Sequence, residues 1–325
     1  MSDNGIPSHV ELRAARAVVS EHHPRTPLYR LEVDPLADRR NVFIKYENHG
    51  PVRSFKARGA LYSLWRLDAH QRSRGVVTAS TGNHGRGIAY AAAELGIPAT
   101  IVIPRGTPAV KFKPIERLGA DLRVVDGSLV EATATARAIA EDEDKLYLED
   151  GEDAGLLAGA ATVAWEILEE LPDADCIVVP VGGGNLIAAT ALLAKEILPS
   201  IRIVGVQSAA APAVARSWEA GKVTAAPCAT FAGGLATTTP GHLAFEVMKD
   251  RVDDMVLVSE DTLEAQIIQL LASTGEVAEH AGAAAFAALV EHGGDWRGNV
   301  VLVLTGGNIE FTDLHRLVSQ YENDE

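Results

Sequence analysis

The chain has 325 residues, 47% hydrophobic and 22% charged, enough to bury one large core or two moderate ones without disulfides or metals. Its 29 basic and 44 acidic residues give a net charge of −15. This is the wrong sign for a protein that binds phosphate backbones or anionic lipid surfaces. We therefore expect no nucleic-acid partner and no membrane partner.

The two cysteines, Cys176 and Cys228, match neither a redox pair nor a zinc ribbon in their spacing. A reducing compartment, the cytoplasm, is the simplest interpretation. Residues 1–9 contain no apolar stretch behind a basic start, so we expect no secretion signal. Residues 176–194 carry no charge, but Pro180 and the glycines after it indicate a strand, a turn and a helix instead of a membrane span.

From Arg74 onward, short β-branched runs alternate with longer alanine-rich segments, which predicts an α/β fold. Most of these runs are apolar on both sides, as in parallel strands covered by helices on each face. Ser128 and Ser259 are typical helix N-caps. The predicted strands are 75–78, 99–103, 122–125, 145–148, 175–179, 201–206, 254–258 and 299–304.

The segment Ser54-Phe-Lys-Ala-Arg-Gly-Ala places Lys56 between an aromatic ring and a run of small residues. On its own, Lys56 is typical of a solvated surface lysine. A lysine that acts as a Schiff-base nucleophile needs a desolvated pocket with an aromatic or apolar neighbour, and Phe55 supplies one.

The segment Ser80-Thr-Gly-Asn-His-Gly follows a predicted strand and opens an alanine-rich helix. The free N–H groups and the dipole at such a helix start favour a bound anion, for example a substrate carboxylate. Ser80 and Thr81 are expected to supply cap hydroxyls. Alone, the same residues are typical of an ordinary N-cap, in which Gly82 eases a turn and His84 packs within it.

The glycine run Gly182-Gly-Gly-Asn-Leu also joins a predicted strand to a helix. The N–H groups of Gly182, Gly183 and Gly184 can converge on one oxyanion, with the helix dipole behind them. A tight turn that binds nothing fits this run equally well. A nucleotide is disfavoured, because neither phosphate-loop motif occurs and the next strand ends at Gln207, where a dinucleotide site needs an acidic residue.

Thr305 follows the last predicted strand, 299–304. Its position at the carboxyl end of a strand is the edge where open α/β sheets bind ligands. Read alone, it is equally a plain strand-ending turn.

Together the four segments resemble the fold-type II pyridoxal-phosphate enzymes, in particular the serine/threonine dehydratase and serine racemase group. They occur in the order of that family, and with Arg25-Thr-Pro-Leu near the start the resemblance covers nearly the whole chain. The segment containing Lys56 is similar to the family's Schiff-base motif, residues 80–85 to its substrate-carboxylate loop, residues 182–186 to its phosphate loop, and Leu304-Thr-Gly-Gly-Asn to its pyridine-nitrogen segment.

The resemblance implies a tryptophan synthase β-like α/β fold, with two open, twisted, mostly parallel sheets covered by helices. It implies a large cofactor-binding domain of residues 1–73 and 151–325. A small, mobile domain, residues 74–150, would close over the substrate. A homodimer is implied as well.

For the site, the resemblance implies that Lys56 holds pyridoxal 5'-phosphate as a Schiff base and moves the substrate's α-proton. Thr81 is the second candidate catalytic residue, with an N-cap that also binds the carboxylate as the alternative. The implied cofactor-binding residues are Phe55, Lys56, Asn83, Gly182, Gly183, Gly184, Asn185, Leu186, Gly234 and Thr305. The implied substrate-binding residues are Ser80, Thr81, Gly82, Asn83 and His84.

In this arrangement Thr305 places a neutral hydroxyl opposite the pyridine nitrogen, where a carboxylate would strengthen the electron sink. A weaker sink suits prompt β-elimination from threonine, serine or a similar β-hydroxy amino acid, giving a 2-oxo acid and ammonia. The alternatives are a serine or other amino-acid racemase that uses Lys56 and Thr81, and a lyase for hydroxyaspartate, phenylserine or diaminopropionate. Two further functions rank lower as alternatives. One is replacement at the β- or γ-carbon, as in cysteine or threonine synthases, and the other is a non-catalytic amino-acid sensor.

Relatives that bind a divalent cation have a glutamate at the position of Gln207 and an aspartate near Ala213. An oxygen-ligand cation site needs those carboxylates, so we expect no metal. Only 20 residues follow Thr305, so we expect no appended regulatory domain and no feedback inhibition.

Overall fold

The computed structural model describes residues 5–32 and 40–324. All eight predicted strands are present, and two further strands precede them. The strands are β1 (Leu28–Arg30), β2 (Arg40–Tyr46), β3 (Val76–Ala79), β4 (Ala99–Pro104), β5 (Asp121–Val125), β6 (Leu146–Tyr147), β7 (Cys176–Pro180), β8 (Arg202–Ser208), β9 (Asp254–Val258) and β10 (Gly298–Leu304).

Helices separate most of the strands, so the predicted α/β class is confirmed. The helices are α1 (His9–His22), α2 (Lys56–Trp65), α3 (Ala69–Arg74), α4 (Asn83–Leu95), α5 (Ala109–Arg117), α6 (Leu129–Asp142), α7 (Ala154–Ala160), α8 (Thr162–Glu170), α9 (Asn185–Ile197), α10 (Ala213–Ala220), α11 (His242–Met248), α12 (Glu260–Thr274), α13 (Ala284–His292) and α14 (Phe311–Asp324).

The chain divides into two compact units. The first unit consists of Met1–Pro24 and Lys56–Thr162, and the second of Arg25–Phe55 and Val163–Glu325. The predicted domains, 74–150 against 1–73 with 151–325, stay a prediction.

The first unit contains a parallel four-stranded sheet in the order β5-β4-β3-β6. Its interior is built from aliphatic side chains of the sheet and of α2 and α4, including Leu61, Ile88 and Ile101. Because β3 and β6 are parallel neighbours, the segments that follow them emerge at the same edge of this sheet. The loop containing Ser80 and the residues after Tyr147 therefore share that edge.

The second unit contains a six-stranded sheet in the order β1-β2-β10-β7-β8-β9, in which only the pair β1–β2 is antiparallel among the described strands. Its core includes Val178, Val204 and Leu302 from the three central strands. Strands β7 and β10 are parallel neighbours, so the glycine run after β7 and Thr305 after β10 lie at one edge. The predicted pair of mostly parallel sheets is thus confirmed.

Helix starts test three of the capping predictions. Ser128 and Ser259 are the N-caps of α6 and α12, as predicted. The prediction that Ser80 and Thr81 cap α4 was wrong, because the N-cap is Gly82 and no side chain bonds to the helix start. The Ser80 hydroxyl instead accepts a hydrogen bond from the Gly82 N–H at 3.2 Å, a local turn that competes with capping.

The uncharged run 176–194 forms β7, a glycine turn and part of α9, as predicted. In the part of the chain that the structure describes, no helix combines the length and apolar character needed to span a membrane.

Candidate active site

Lys56 is the first residue of α2, and glycines fix where this helix begins. A Cβ on Gly87 of α4 would lie 2.8 Å from the carbonyl oxygen of Lys56, and one on Gly59 of α2 would lie 2.6 Å from that of Leu156 in α7. Real side chains do not approach so closely, so only glycine permits these contacts. Helices α4 and α7 therefore contact the backbone of α2 directly and hold Lys56 in place.

The amine of Lys56 is paired with a carboxylate. Its Nζ donates to Oδ2 of Asp150 at 2.5 Å, and the two side chains are 18% and 25% exposed. Asp150 follows β6, and the loop of Ser80 follows β3, at the same edge of the first unit's sheet. Asp150 was not among the predicted site residues, although an acidic residue just after a parallel strand is a signal that could have indicated it.

Asp150 stays ionised in this arrangement. Burial alone would raise the pKa of its carboxyl group, but the charge of Lys56, the charge that His84 carries when it is protonated, and the hydrogen bond from Lys56 hold that pKa below its ordinary value. Burial lowers the pKa of His84, against the opposing effect of Asp150. His84 therefore favours its neutral form, with Nε2 3.4 Å from the carbonyl oxygen of Leu148.

The predicted substrate loop, residues 80–84, joins β3 to the start of α4. Helix α4 begins at Asn83, so its dipole and its first N–H groups face the residues of this loop. Thr81 is half-buried and makes no hydrogen bond among the described residues. The loop has the features of an anion site, and its assignment to a substrate carboxylate stays a prediction.

The glycine cradle, defined as Gly182, Gly183 and Gly184, lies between β7 and α9 in the second unit. Within the described residues, the N–H groups of these three glycines donate no hydrogen bond. Gly184 has φ 101°, a left-handed conformation that favours glycine. A Cβ on Gly182 would overlap the carbonyl oxygen of Gly234, which brings these two predicted cofactor residues together.

The cradle fits an anionic group such as a phosphate. The space above the Gly183 α-carbon is open, since no atom of the other described residues beyond its two chain neighbours lies within 4 Å of a Cβ built there. Asn185 is 4% exposed, and the Oδ1 of its side-chain amide is buried without a hydrogen-bond partner in the described part of the chain. Free N–H groups and an open space at a helix start are what a phosphate requires, whereas the amide oxygen, as an acceptor, can pair only with a protonated phosphate oxygen. Residues 182–186 therefore suit the phosphate of the predicted cofactor.

Thr305 lies beside the segment that leads to Lys56. The N–H of Phe55 donates to the Thr305 carbonyl oxygen at 3.1 Å, and Ser54 forms an isolated bridge with Gly306. Thr305 is 4% exposed, and its hydroxyl has no partner among the residues described. A buried neutral hydroxyl is thus available to a ligand at the carboxyl edge of the six-stranded sheet.

Gln207, at the end of β8, has a structural role. Its Oε1 accepts hydrogen bonds from the N–H groups of Val214 and Ala215, both at 2.9 Å, at the start of α10. Across residues 5–32 and 40–324, no group of three histidine, cysteine or acidic side chains is arranged to hold a metal. The expectation of a metal-free enzyme stays a prediction.

Comparisons with known proteins agree with this geometry. The family described as "Pyridoxal-phosphate dependent enzyme" matches residues 19–306. The L-threonine ammonia-lyase of Thermotoga maritima is 38% identical over 283 residues, 86% of this chain and 70% of the relative. These matches confirm the resemblance predicted from the four segments.

Two solved structures share the fold over almost the whole chain. Maize serine racemase has a TM-score of 0.89 at 31% identity, with 97% of this chain and 98% of that chain covered. The processed form of threonine deaminase isoform 2 from Solanum lycopersicum has the same TM-score and identity, with 97% and 94% covered.

Proposed function

Because the chain belongs to the family of pyridoxal-phosphate-dependent enzymes, we propose that it is an ammonia-lyase for β-hydroxy amino acids of the threonine and serine type. It binds pyridoxal 5'-phosphate and acts on a small amino acid. The observation that carries the proposal is the identity of 38% to an L-threonine ammonia-lyase over 86% of the chain. The products are a 2-oxo acid and ammonia.

Each predicted site residue has a role that follows from its chemistry. The N–H groups of the glycine cradle, together with Asn185 and Leu186, would hold the phosphate of the cofactor, and Gly234 would help to hold its ring. Phe55 and Asn83 would also hold the ring, and the hydroxyl of Thr305 would be available to its nitrogen. The substrate carboxylate binds at residues 80–84, where the dipole of α4 favours negative charge.

When bound, the cofactor withdraws electrons from the α-carbon of the substrate. Lys56 removes the α-proton with its amine and later returns a proton, which requires the amine to lie within hydrogen-bond distance of that carbon. With only the neutral hydroxyl of Thr305 available to the ring nitrogen, the cofactor would supply a weak electron sink, which suits prompt loss of the β-hydroxyl together with a proton, as water. The support for Lys56 in this role is its fixed position at the start of α2.

A product assay tests the activity. Purified enzyme supplied with pyridoxal phosphate is incubated with L-threonine or L-serine, and the 2-oxo acid and the ammonia are quantified. We expect the two products in equal amounts. Lys56→Ala should lower kcat by at least about 10²–10⁴-fold, because the base is removed. The exposed Lys222→Ala provides the matched control and should leave kcat unchanged. Absence of 2-oxo acid from every β-hydroxy amino acid in a panel would refute the proposal.

Borohydride reduction locates the cofactor independently of turnover. Reduction fixes the cofactor to the lysine that holds it, and mass spectrometry of the digested protein then identifies the labelled peptide. We expect the label on the peptide that contains Lys56. A label on a different lysine would reject the assignment of Lys56.

Racemisation is the second candidate function, and the similarity to maize serine racemase at 31% identity favours it. Thr81 offers a hydroxyl that does not cap α4, so it is available as a second acid/base. Chiral chromatography of the substrate that remains during turnover distinguishes the two reactions. Accumulation of the opposite enantiomer without 2-oxo acid would favour the racemase.

Two coarser expectations from the sequence are proposed here as well. We expect a homodimer, as the resemblance implies, and a cytoplasmic location, as the two free cysteines suggest. Light scattering of the purified protein measures the first, and cell fractionation measures the second.

A further inference from the structure

In the carboxylate of Asp150, one oxygen accepts a hydrogen bond and the other has no hydrogen-bond partner among the described residues. Its Oδ2 accepts from Nζ of Lys56 at 2.5 Å, whereas Oδ1 is buried and has no hydrogen-bond partner in the described part of the chain. A buried acceptor without a donor is costly, and such atoms occur where a ligand completes the bonding. We therefore expect Oδ1 to accept a hydrogen bond from a bound ligand.

The position of Asp150 relates this oxygen to the substrate. The proposed role of Lys56 puts its amine within hydrogen-bond reach of the α-carbon. A group 2.5 Å from that amine then lies within about 8 Å of the atom that the β-carbon carries. Asp150 is thus close enough for its charge to affect the binding of the β-substituent, which it attracts or repels according to the charge and hydrogen-bond donors of that group.

We propose that Asp150 is a specificity-determining residue, which accepts a hydrogen bond from a β-hydroxyl or β-ammonium group and excludes substrates with a carboxylate there. The inference rests on the proposed function and narrows its substrate class. Threonine, serine and 2,3-diaminopropionate carry a donor at the β-carbon, whereas 3-hydroxyaspartate carries a carboxylate as well. Two anions at this separation in a partly buried site repel each other, which weakens binding by about tenfold or more.

The test compares substrates in Asp150→Asn, which keeps the shape of the side chain and removes its charge. The kcat/KM for 3-hydroxyaspartate relative to L-threonine should rise by about tenfold. The same ratio for 2,3-diaminopropionate should fall by about tenfold, because its attraction to the carboxylate is lost. A uniform change for all three substrates would mean that Asp150 only positions Lys56, and would overturn the proposal.

Glu149→Gln is the matched control. Glu149 is the adjacent acidic residue, and its carboxylate pairs with Arg137. The substitution removes the same charge one residue away, so it should leave both ratios unchanged. Equal shifts in Glu149→Gln and Asp150→Asn would indicate a general effect of net charge and would contradict a specific role for Asp150.

A binding measurement separates this inference from the proposed activity. L-Aspartate and L-asparagine have the same shape and no β-hydroxyl, so calorimetry can compare their binding to the cofactor-loaded protein without turnover. The wild-type protein should bind L-aspartate about tenfold more weakly than L-asparagine, and Asp150→Asn should reduce that difference. Equal binding to the wild-type protein would refute the inference even if threonine is deaminated. A difference that persists when no substrate is deaminated would support the inference and reject the lyase.

Discussion

Gly182 and Gly183 are adjacent in the cradle, yet the space around their α-carbons differs. A Cβ on Gly182 would overlap the carbonyl oxygen of Gly234, whereas a Cβ on Gly183 has no atom within 4 Å. We expect Gly182→Ala to lower the free energy of unfolding by about 1–3 kcal/mol, since one backbone segment must shift. Urea unfolding of the protein without added cofactor measures this loss.

Gly183→Ala is the control for that substitution. It adds the same methyl group in open space, and we expect a change within about 0.5 kcal/mol. Equal destabilisation by the two alanines would show that loss of glycine flexibility, and not the approach of Gly234, decides the cost.

Single residues also mark where sequence-based prediction reached its limit. Three of the four segments could be predicted because glycine and hydroxyl residues stand directly after strands, and the fourth because Phe55 and a run of small residues flank Lys56. Asp150 was missed, because Glu149, Asp150, Glu152 and Asp153 together look like a solvated acidic turn, and that interpretation hid its position just after a strand. Its partner Lys56 lies 94 positions away, and only the fold brings the two charges together.

At the scale of elements, strand β2 shows why a pattern of polar and apolar residues can mislead. Its sequence carries Arg40, Asn41 and Lys45 among apolar residues, so it was not predicted. Lys45 is nevertheless fully buried, with Nζ donating to Glu166 at 2.6 Å and to the carbonyl oxygen of Thr26 at 2.7 Å. A buried charge is tolerated when it is paired in this way, and the pairing cannot be deduced from the strand itself.

Helix α12 provides a test of a cap that the sequence did predict. The Ser259 hydroxyl accepts from the N–H of Thr262 at 3.1 Å and donates to Glu291 at 2.9 Å. Ser259→Ala removes these bonds and the contact of the hydroxyl with Oγ1 of Thr262 at 2.8 Å, and we expect it to lower the free energy of unfolding by about 1 kcal/mol. Thermal unfolding measured by circular dichroism gives the change.

Ser273→Ala, near the other end of α12, is the matched control. Its exposed hydroxyl bonds only to the Gln269 carbonyl oxygen of the preceding turn, so we expect a change within about 0.5 kcal/mol. A loss in Ser273→Ala as large as in Ser259→Ala would contradict a specific contribution from the cap.

For the whole molecule, the alternation of strands and helices was sufficient to predict an α/β fold with parallel strands, whereas the division into two sheets was predicted only from the family resemblance. The division into units was harder to predict, because it depends on contacts such as those of Gly59 with Leu156 and of Gly87 with Lys56. Glycines of this kind leave no periodic pattern in a sequence. The same contacts place Lys56 at the start of a helix that belongs to the first unit. Phe55, the residue before it in the sequence, belongs to the second unit.

Two histidines make the stability of the whole chain depend on pH. Burial lowers the pKa of both His84 and His280 below the ordinary value of 6.5. The folded protein therefore holds these rings neutral at a pH where the unfolded chain already binds protons. Because the unfolded state binds more protons, the free energy of unfolding falls as the pH drops through 6.5.

We therefore expect the free energy of unfolding to fall between about pH 7.5 and pH 5.5, by at most about 1.4 kcal/mol per pH unit for each histidine. His280→Gln should reduce this slope, because glutamine does not titrate. Phe231→Leu serves as the control. It removes the aromatic ring whose centroid lies 4.8 Å from that of His280, and it should change stability but alter the pH slope less than His280→Gln does. Urea unfolding at several pH values measures both quantities, and an unchanged slope in His280→Gln would contradict the contribution of that histidine.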